Sequence, residues 1–349
     1  MGNRRNHFLF PLLGMAGLFL THVASAAAPP LPPSSRGTPS ASDQAEIAAF
    51  VQYYAQQMSA AADTPAMVRA RRHLLAPLNS STSAPSAEFT YDFGTQVATD
   101  FSALLSNKTA ALNAVITIAS IHDISTQSAL QQALTNSNPA VRYWAAKGLG
   151  GIFTQLMAIG PAYQQAIRAV ERALAVETDP LAALEMCDAL LTQNPIPADT
   201  ANLAAGALQR AIAQYQQVVP GNLDITTGLA ADLAAAVAHG STLTAAQKAA
   251  AMSTLAQLMS YTAQYFNQGL LDHMQTLFAF KAIANSADAM NAITGTTDFS
   301  LHGLGAESKP AAILLAVNHI TGSQTQTGAV QKLFPKIAIP PRISALQAP

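Results

Sequence analysis

Asn138-Pro139-Ala140-Val141-Arg142-Tyr143-Trp144-Ala145-Ala146-Lys147-Gly148-Leu149-Gly150-Gly151-Ile152 is the stretch on which the reading of this chain turns. Asn138 can cap a helix by accepting a hydrogen bond from a free N–H of the first turn. Pro139 suits the first helical position, where a missing N–H costs nothing. Val141, Trp144, Ala145, Leu149 and Ile152 then fall on one face at helical spacing, which predicts an apolar stripe packed against neighbours. Gly150-Gly151 is expected to end the regular helix or to allow close packing.

The same residues resemble the second helix of a HEAT repeat, whose pattern runs Asp/Asn-Pro-x-Val-Arg-x-x-Ala-x-x-Ala-Leu-Gly-x-Ile. Asn138, Pro139, Val141, Arg142, Ala145, Leu149, Gly150 and Ile152 match it, and Gly148 stands where the pattern has Ala. A partial second copy, without the Val-Arg pair, begins at Asp179-Pro180 and runs to Leu191. Its Pro lies 41 positions after Pro139, within the roughly 40–47-residue period of such repeats. Thr64-Pro65-Ala66-Met67-Val68-Arg69 is a fainter third echo, with one extra residue before the Arg. The resemblance implies an all-α fold: a right-handed α-solenoid of antiparallel helix pairs, HEAT-like across residues 125–192, with irregular helices on either side. It also implies that Arg142 ties neighbouring repeats together. Tyr143 and Trp144 are the candidate protein-binding residues, against a purely structural reading of the same rings.

Composition bounds the rest. With 349 residues the chain can form one long repeat domain or two ordinary domains. Charged residues make up only 11%, far below the roughly 25% usual for soluble domains. Ala, Leu, Gln and Thr fill their place, a mixture that favours closely packed helices. The N-terminus has the organisation of a signal peptide over residues 1–26. Arg4 and Arg5 form a basic start, Phe8 to Leu20 is an apolar run, and Ala24-Ser25-Ala26 is a small-residue cleavage site. The apolar run is too short for the roughly 20 residues of a membrane span, so no transmembrane segment is expected after cleavage. An exported protein, periplasmic or secreted, is the expectation. Removing Arg4 and Arg5 leaves 16 basic against 19 acidic residues, a balance that disfavours nucleic acid as a partner. Arg69, Arg71 and Arg72, with His73, form the one basic cluster, read either as a solvated helix face or as a patch for an anionic partner.

In order along the chain, residues 27–41 form a Pro/Ser-rich linker, and residues 42–334 form the helical-repeat domain, with a possible subdivision near 194–198. Residues 335–349 read as a flexible tail. Helices are expected from about Ser42, from Thr64 to about Leu75, densely from Thr95, over 126–135 and 139–153, and from Gly160 to about Val176. Further helices are expected from Thr200 to Val218, from Thr244 with its Thr-x-x-Gln capping box to about Phe266, over 269–285, and from Lys309 to Ile320. Residues 77–92 read as a loop, with a short extended piece over Glu88–Phe93.

Few residues suggest catalysis. No two His stand at i,i+4, so no zinc helix is expected, and no metal or cofactor is assigned. His122-Asp123 superficially resembles the His-Asp dyad of metal-dependent phosphohydrolases. The simpler reading is that it closes one helix and opens a turn. Asp298 and His302 fall at i,i+4 in an irregular segment, as a loop or a weak cation site. Cys187, the single Cys, sits in an apolar helical pattern and is expected to be a buried, inert thiol. Met252, Met259, Tyr261 and Tyr265 are expected in the core, with a ligand groove between helices as the alternative. The leading expectation is an exported, non-catalytic scaffold that binds another protein. The alternatives are an exported helical hydrolase or lyase, or a carrier of an apolar ligand.

Overall fold

Short polar side chains start the helices. Ser40 and Asp43 cap α1 (Ala41–Ala60) reciprocally, Asp63 caps α2 (Thr64–Leu75), and Ser86 caps α3 (Ala87–Ser102). After α4 (Ala111–Ala119) and α5 (Gln127–Ala133), Asn138 accepts from the Ala140 N–H at 3.0 Å to open α6 (Pro139–Met157). Next come α7 (Gly160–Val176) and α8 (Pro180–Leu191), whose cap is Asp179. The chain continues through α9 (Ala198–Tyr215), α10 (Leu223–His239), α11 (Ala245–Asn267), α12 (His273–Thr294), α13 (Pro310–Thr321) and α14 (Ala329–Leu333). The computed structural model describes residues 27–33, 37–79, 84–193, 196–215, 223–239, 243–269 and 271–339. The expected signal peptide, most of the expected tail, and the breaks at Asn194-Pro195 and Pro220-Gly221 lie outside the described residues. Among the described residues the fold is all-helical, with no strand and one isolated bridge between Ser323 and Gln326.

Helices alternate between two ladders. In one, α2 packs on α4, α4 on α6, α6 on α8, α8 on α10 and α10 on α12. In the other, α1 packs on α3, α3 on α5, α5 on α7, α7 on α9, α9 on α11 and α11 on α13. Successive helices form the rungs: α1 with α2, α3 with α4, α5 with α6, and so on to α11 with α12. One apolar core runs between the ladders from Ile47 to Ile337. Each helix buries a face too narrow to be stable alone, and stacking makes those faces continuous.

At α6 the buried face is Val141, Ala145, Gly148, Leu149, Ile152 and Leu156. Trp144 was expected within this stripe but lies half-buried at its edge. The Gly pair does not end the helix, which continues to Met157. Its role is close packing: a Cβ at Gly150 would stand 3.2 Å from the Ala189 Cβ of α8.

Expected element bounds shift in several places. Glu88–Phe93 is helical, because Phe89, Phe93, Val97 and Phe101 repeat at four-residue spacing and are all buried. The cap of α2 is Asp63, with Thr64 inside the helix. Helix α12 runs past residue 285 to Thr294, where Gly295 closes it in the left-handed conformation at φ 69°. Helix α14 was not anticipated. The linker residues 27–33 have no regular structure, yet Ala28 and Leu31 pack on the core.

Candidate binding surface

Arg142 sits in the first turn of α6 and spans two helix pairs. Its Nε and Nη2 each donate to the Glu177 carboxylate at 2.6 Å, and its Nη1 donates to the Asn136 carbonyl at 2.8 Å and the Ser137 carbonyl at 3.2 Å. Glu177 lies just before α8, and its side chain is 2% exposed. It also accepts from the backbone N–H groups of Thr178 (2.9 Å) and Asp179 (2.8 Å). Burial alone would raise its pKa, but Arg142 and these N–H donors outweigh that and hold the carboxyl below the usual carboxylate range. The bidentate pair therefore fixes the start of α8 to the start of α6.

Directly after Arg142, Tyr143 and Trp144 are half-buried and meet edge to face, with centroids 5.9 Å apart. Lys147 Nζ lies 5.6 Å from the Tyr143 ring centroid and 5.4 Å from that of Trp144. The Tyr143 phenol faces Glu185 on α8. Burial first, then Glu185 and Asp188, push its pKa up to about 12. Desolvation also raises Glu185. Beyond it Asp188 meets Asp232 of α10. Burial, the Asp188 carboxylate and the charge of Glu185 together raise Asp232 well above the ordinary carboxyl range. Two facing carboxyls cannot both ionise cheaply, so Asp232 retains its proton. A row of polar groups thus crosses three successive helices of one ladder: Lys147, Tyr143, Glu185, Asp188 and Asp232.

The basic cluster near the N-terminus is divided by the fold. Arg71 turns toward α4 and donates to Asn113 Oδ1 at 2.8 Å, and burial, then Arg72, lowers its pKa. Arg72 is exposed. Arg69 lines a cleft of about 320 Å³ with Tyr53, Tyr54 and His73, where His73 stacks on Tyr54. The three arginines therefore have separate surroundings, and Arg71 serves the α2–α4 contact.

His122 has a φ of 54°, its carbonyl accepts from Gln155 Nε2 at 2.8 Å, and Asp123 Oδ1 accepts from the Ser125 N–H at 2.9 Å. The pair forms a turn between α4 and α5. Among the described residues, no group of three or more His, Cys, Asp or Glu is placed to hold a metal ion. Cys187 is buried between α8 and α9, and burial pushes its thiol pKa well up. Met252, Met259 and Tyr265 are buried on α11, and Tyr261 is partly so. The cleft beside α11 and α13, about 470 Å³, is lined instead by polar side chains including Gln264, Asn267, Gln268 and Asn318.

Sequence reasoning missed Glu177, Lys147 and Asp232 as members of this surface. Glu185 and Asp188 carried a signal in their i,i+3 spacing on one helix. Asp232 carried none, because only the packing of α10 on α8 brings it there. No described helix is long and apolar enough to cross a membrane. Compared with protein-family models, curated proteins and solved structures, the chain matches none of them.

Proposed function

We propose that this chain is an exported, non-catalytic helical-repeat protein, a right-handed α-solenoid with HEAT-like units, that binds another protein along its α6–α8–α10 surface. The observation that carries the reading is the alternation of helices between two ladders, with the three helices that carry the HEAT-like sequence echoes (α2, α6 and α8) in the same ladder. Arrays built in this way bury a core between neighbours and leave long helix faces free for partners. Arg142 supports the reading by joining consecutive units through Glu177. Tyr143 and Trp144 supply half-exposed aromatic area on the free face, beside charges of both signs. Aromatic residues of this kind are enriched at protein contacts. Export rests on the pattern of residues 1–26.

The test is affinity capture from the exported fraction with the chain from Ala27 onward as bait. A Tyr143→Ala/Trp144→Ala bait, checked for folding by circular dichroism, serves as the control. A stoichiometric partner lost with the folded control is the expected result. A partner retained equally by both baits removes these residues from the interface, and no partner for the folded wild type counts against the scaffold reading.

A further inference from the structure

The opposite ladder carries a second surface. Between α5, the start of α6, and α7 lies an open cleft of about 520 Å³. Leu134, Ala169, Ala173 and Val176 give it an apolar wall. Arg142 and Glu177 lie at one end and neutralise each other. Arg172 also lines the cleft, is exposed, and has no ion pair or hydrogen bond among the described residues. The Gln131 Nε2 is a buried donor with no acceptor among the described residues. Val176 is 78% exposed and presents its side chain between two clefts. It forms the ridge to a smaller cleft of about 180 Å³, whose charged lining residues among those described are Glu177 and Arg210.

We infer that this double cleft docks an acidic peptide segment of a partner protein, with a carboxylate on Arg172 and an apolar side chain against Val176. The charge argument is direct. Arg142 and Glu177 cancel, so both clefts hold an excess of guanidinium and no unpaired carboxylate. A guanidinium takes a carboxylate in a planar two-point contact. The apolar wall and the Val176 ridge favour a ligand that carries hydrocarbon next to its charge, which inorganic anions lack. This surface is distinct from the Tyr143–Asp232 face and stands or falls independently of it.

The probe is a short fluorescein-labelled peptide alternating leucine and glutamate, followed by anisotropy, with a leucine–glutamine peptide as control. Saturable binding to the full chain from Ala27 is expected. It should weaken about tenfold in Arg172→Glu, for the glutamine peptide, and between low and physiological salt. Val176→Ser should weaken it too, and Tyr143→Ala/Trp144→Ala should leave it unchanged. Arg172 and Val176 are exposed, so their variants are expected to retain the wild-type circular dichroism. Absence of saturable binding, equal affinity for the glutamine peptide, or an unaffected Arg172→Glu variant overturns the inference. So does binding to phosphatidylglycerol vesicles without binding to the peptide, which would assign the face to a membrane surface.

Discussion

Gly148 shows how one missing methyl group decides packing. A Cβ there would stand 2.8 Å from Leu130 Cδ2 and 2.9 Å from the Ala119 Cβ. The Ala119 atom is fixed to the backbone of α4 and cannot rotate away. This is the reason that Gly stands where the HEAT-like pattern has Ala. Gly148→Ala is expected to lose about 1–3 kcal/mol to overpacking, against a gain in helix propensity of up to about 1 kcal/mol. The net change in urea unfolding should be destabilising. Gly206 provides the contrast: its Cβ would meet only Arg210 Nη1, at 3.9 Å. Gly206→Ala should therefore stabilise the protein by up to about 1 kcal/mol, and a loss of stability would show that propensity does not decide this site. Arg142 and Glu177 test the joint between the α5–α6 and α7–α8 helix pairs. Glu177→Gln leaves a partly buried guanidinium without its counter-charge, though still hydrogen-bonded to Asn136 and Ser137, and should cost about 1–3 kcal/mol. The depressed carboxyl pKa fixes the sign of the pH effect. The wild-type contribution of Glu177 is present above its unfolded pKa and is lost as the pH falls through the lower folded value. The difference between wild type and Glu177→Gln should therefore shrink in acid, measured by urea midpoints across pH.

Between elements, the contact of α8 with α10 carries a titratable group of the opposite kind. Asp232 has its pKa raised to about 9 by burial, Asp188 and Glu185. The folded state therefore binds a proton that the unfolded state releases at ordinary carboxyl pH. Stability from this source is fully present below the unfolded pKa and declines as pH rises toward 9, by at most about 1.4 kcal/mol per pH unit. Asp232→Asn keeps a donor facing Asp188 without an ionisable proton. It should flatten the decline and be more stable than wild type at pH 8, by urea denaturation. Equal slopes for the two proteins would remove Asp232 as the cause. The elements themselves differ in how legible they are. Helices α6, α7, α8 and α11 announce themselves through Asn138-Pro139, Gly160-Pro161, Asp179-Pro180 and the Thr244/Gln247 capping box, because caps and prolines act locally. Helix α3 was hidden by Thr90, Tyr91 and Phe93, residue types that also suit strands. Burial of Phe89 and Phe93 against each other and α1 overrides that preference. The Arg142 side chain was readable as a tie between units, but its partner was not. Glu177 is 35 positions away, and only the return of α7 brings it back.

At the scale of the molecule, the two ladders make a prediction that a single compact core does not. Each helix touches chiefly its neighbours along and across the ladders, so cohesion is a sum of local interfaces. Ile283 on α12 is fully buried and far along the array from α2, α4 and α6. Ile283→Ala should open a cavity and cost about 2–5 kcal/mol locally. In an array whose interfaces act separately, native-state hydrogen exchange would speed up in α10 to α13 and remain near wild type in α2, α4 and α6. In a domain with one cooperative core, protection would fall by the same free energy everywhere. The mirror experiment uses Phe93→Ala in α3, which should loosen α1 to α5 and spare α11 to α13. Confinement of both effects to their own ends would establish the repeat-like energetics on which the proposed scaffold depends. A uniform loss in either variant would mean that the ladders describe the geometry but not the cooperativity, and would count against the solenoid reading.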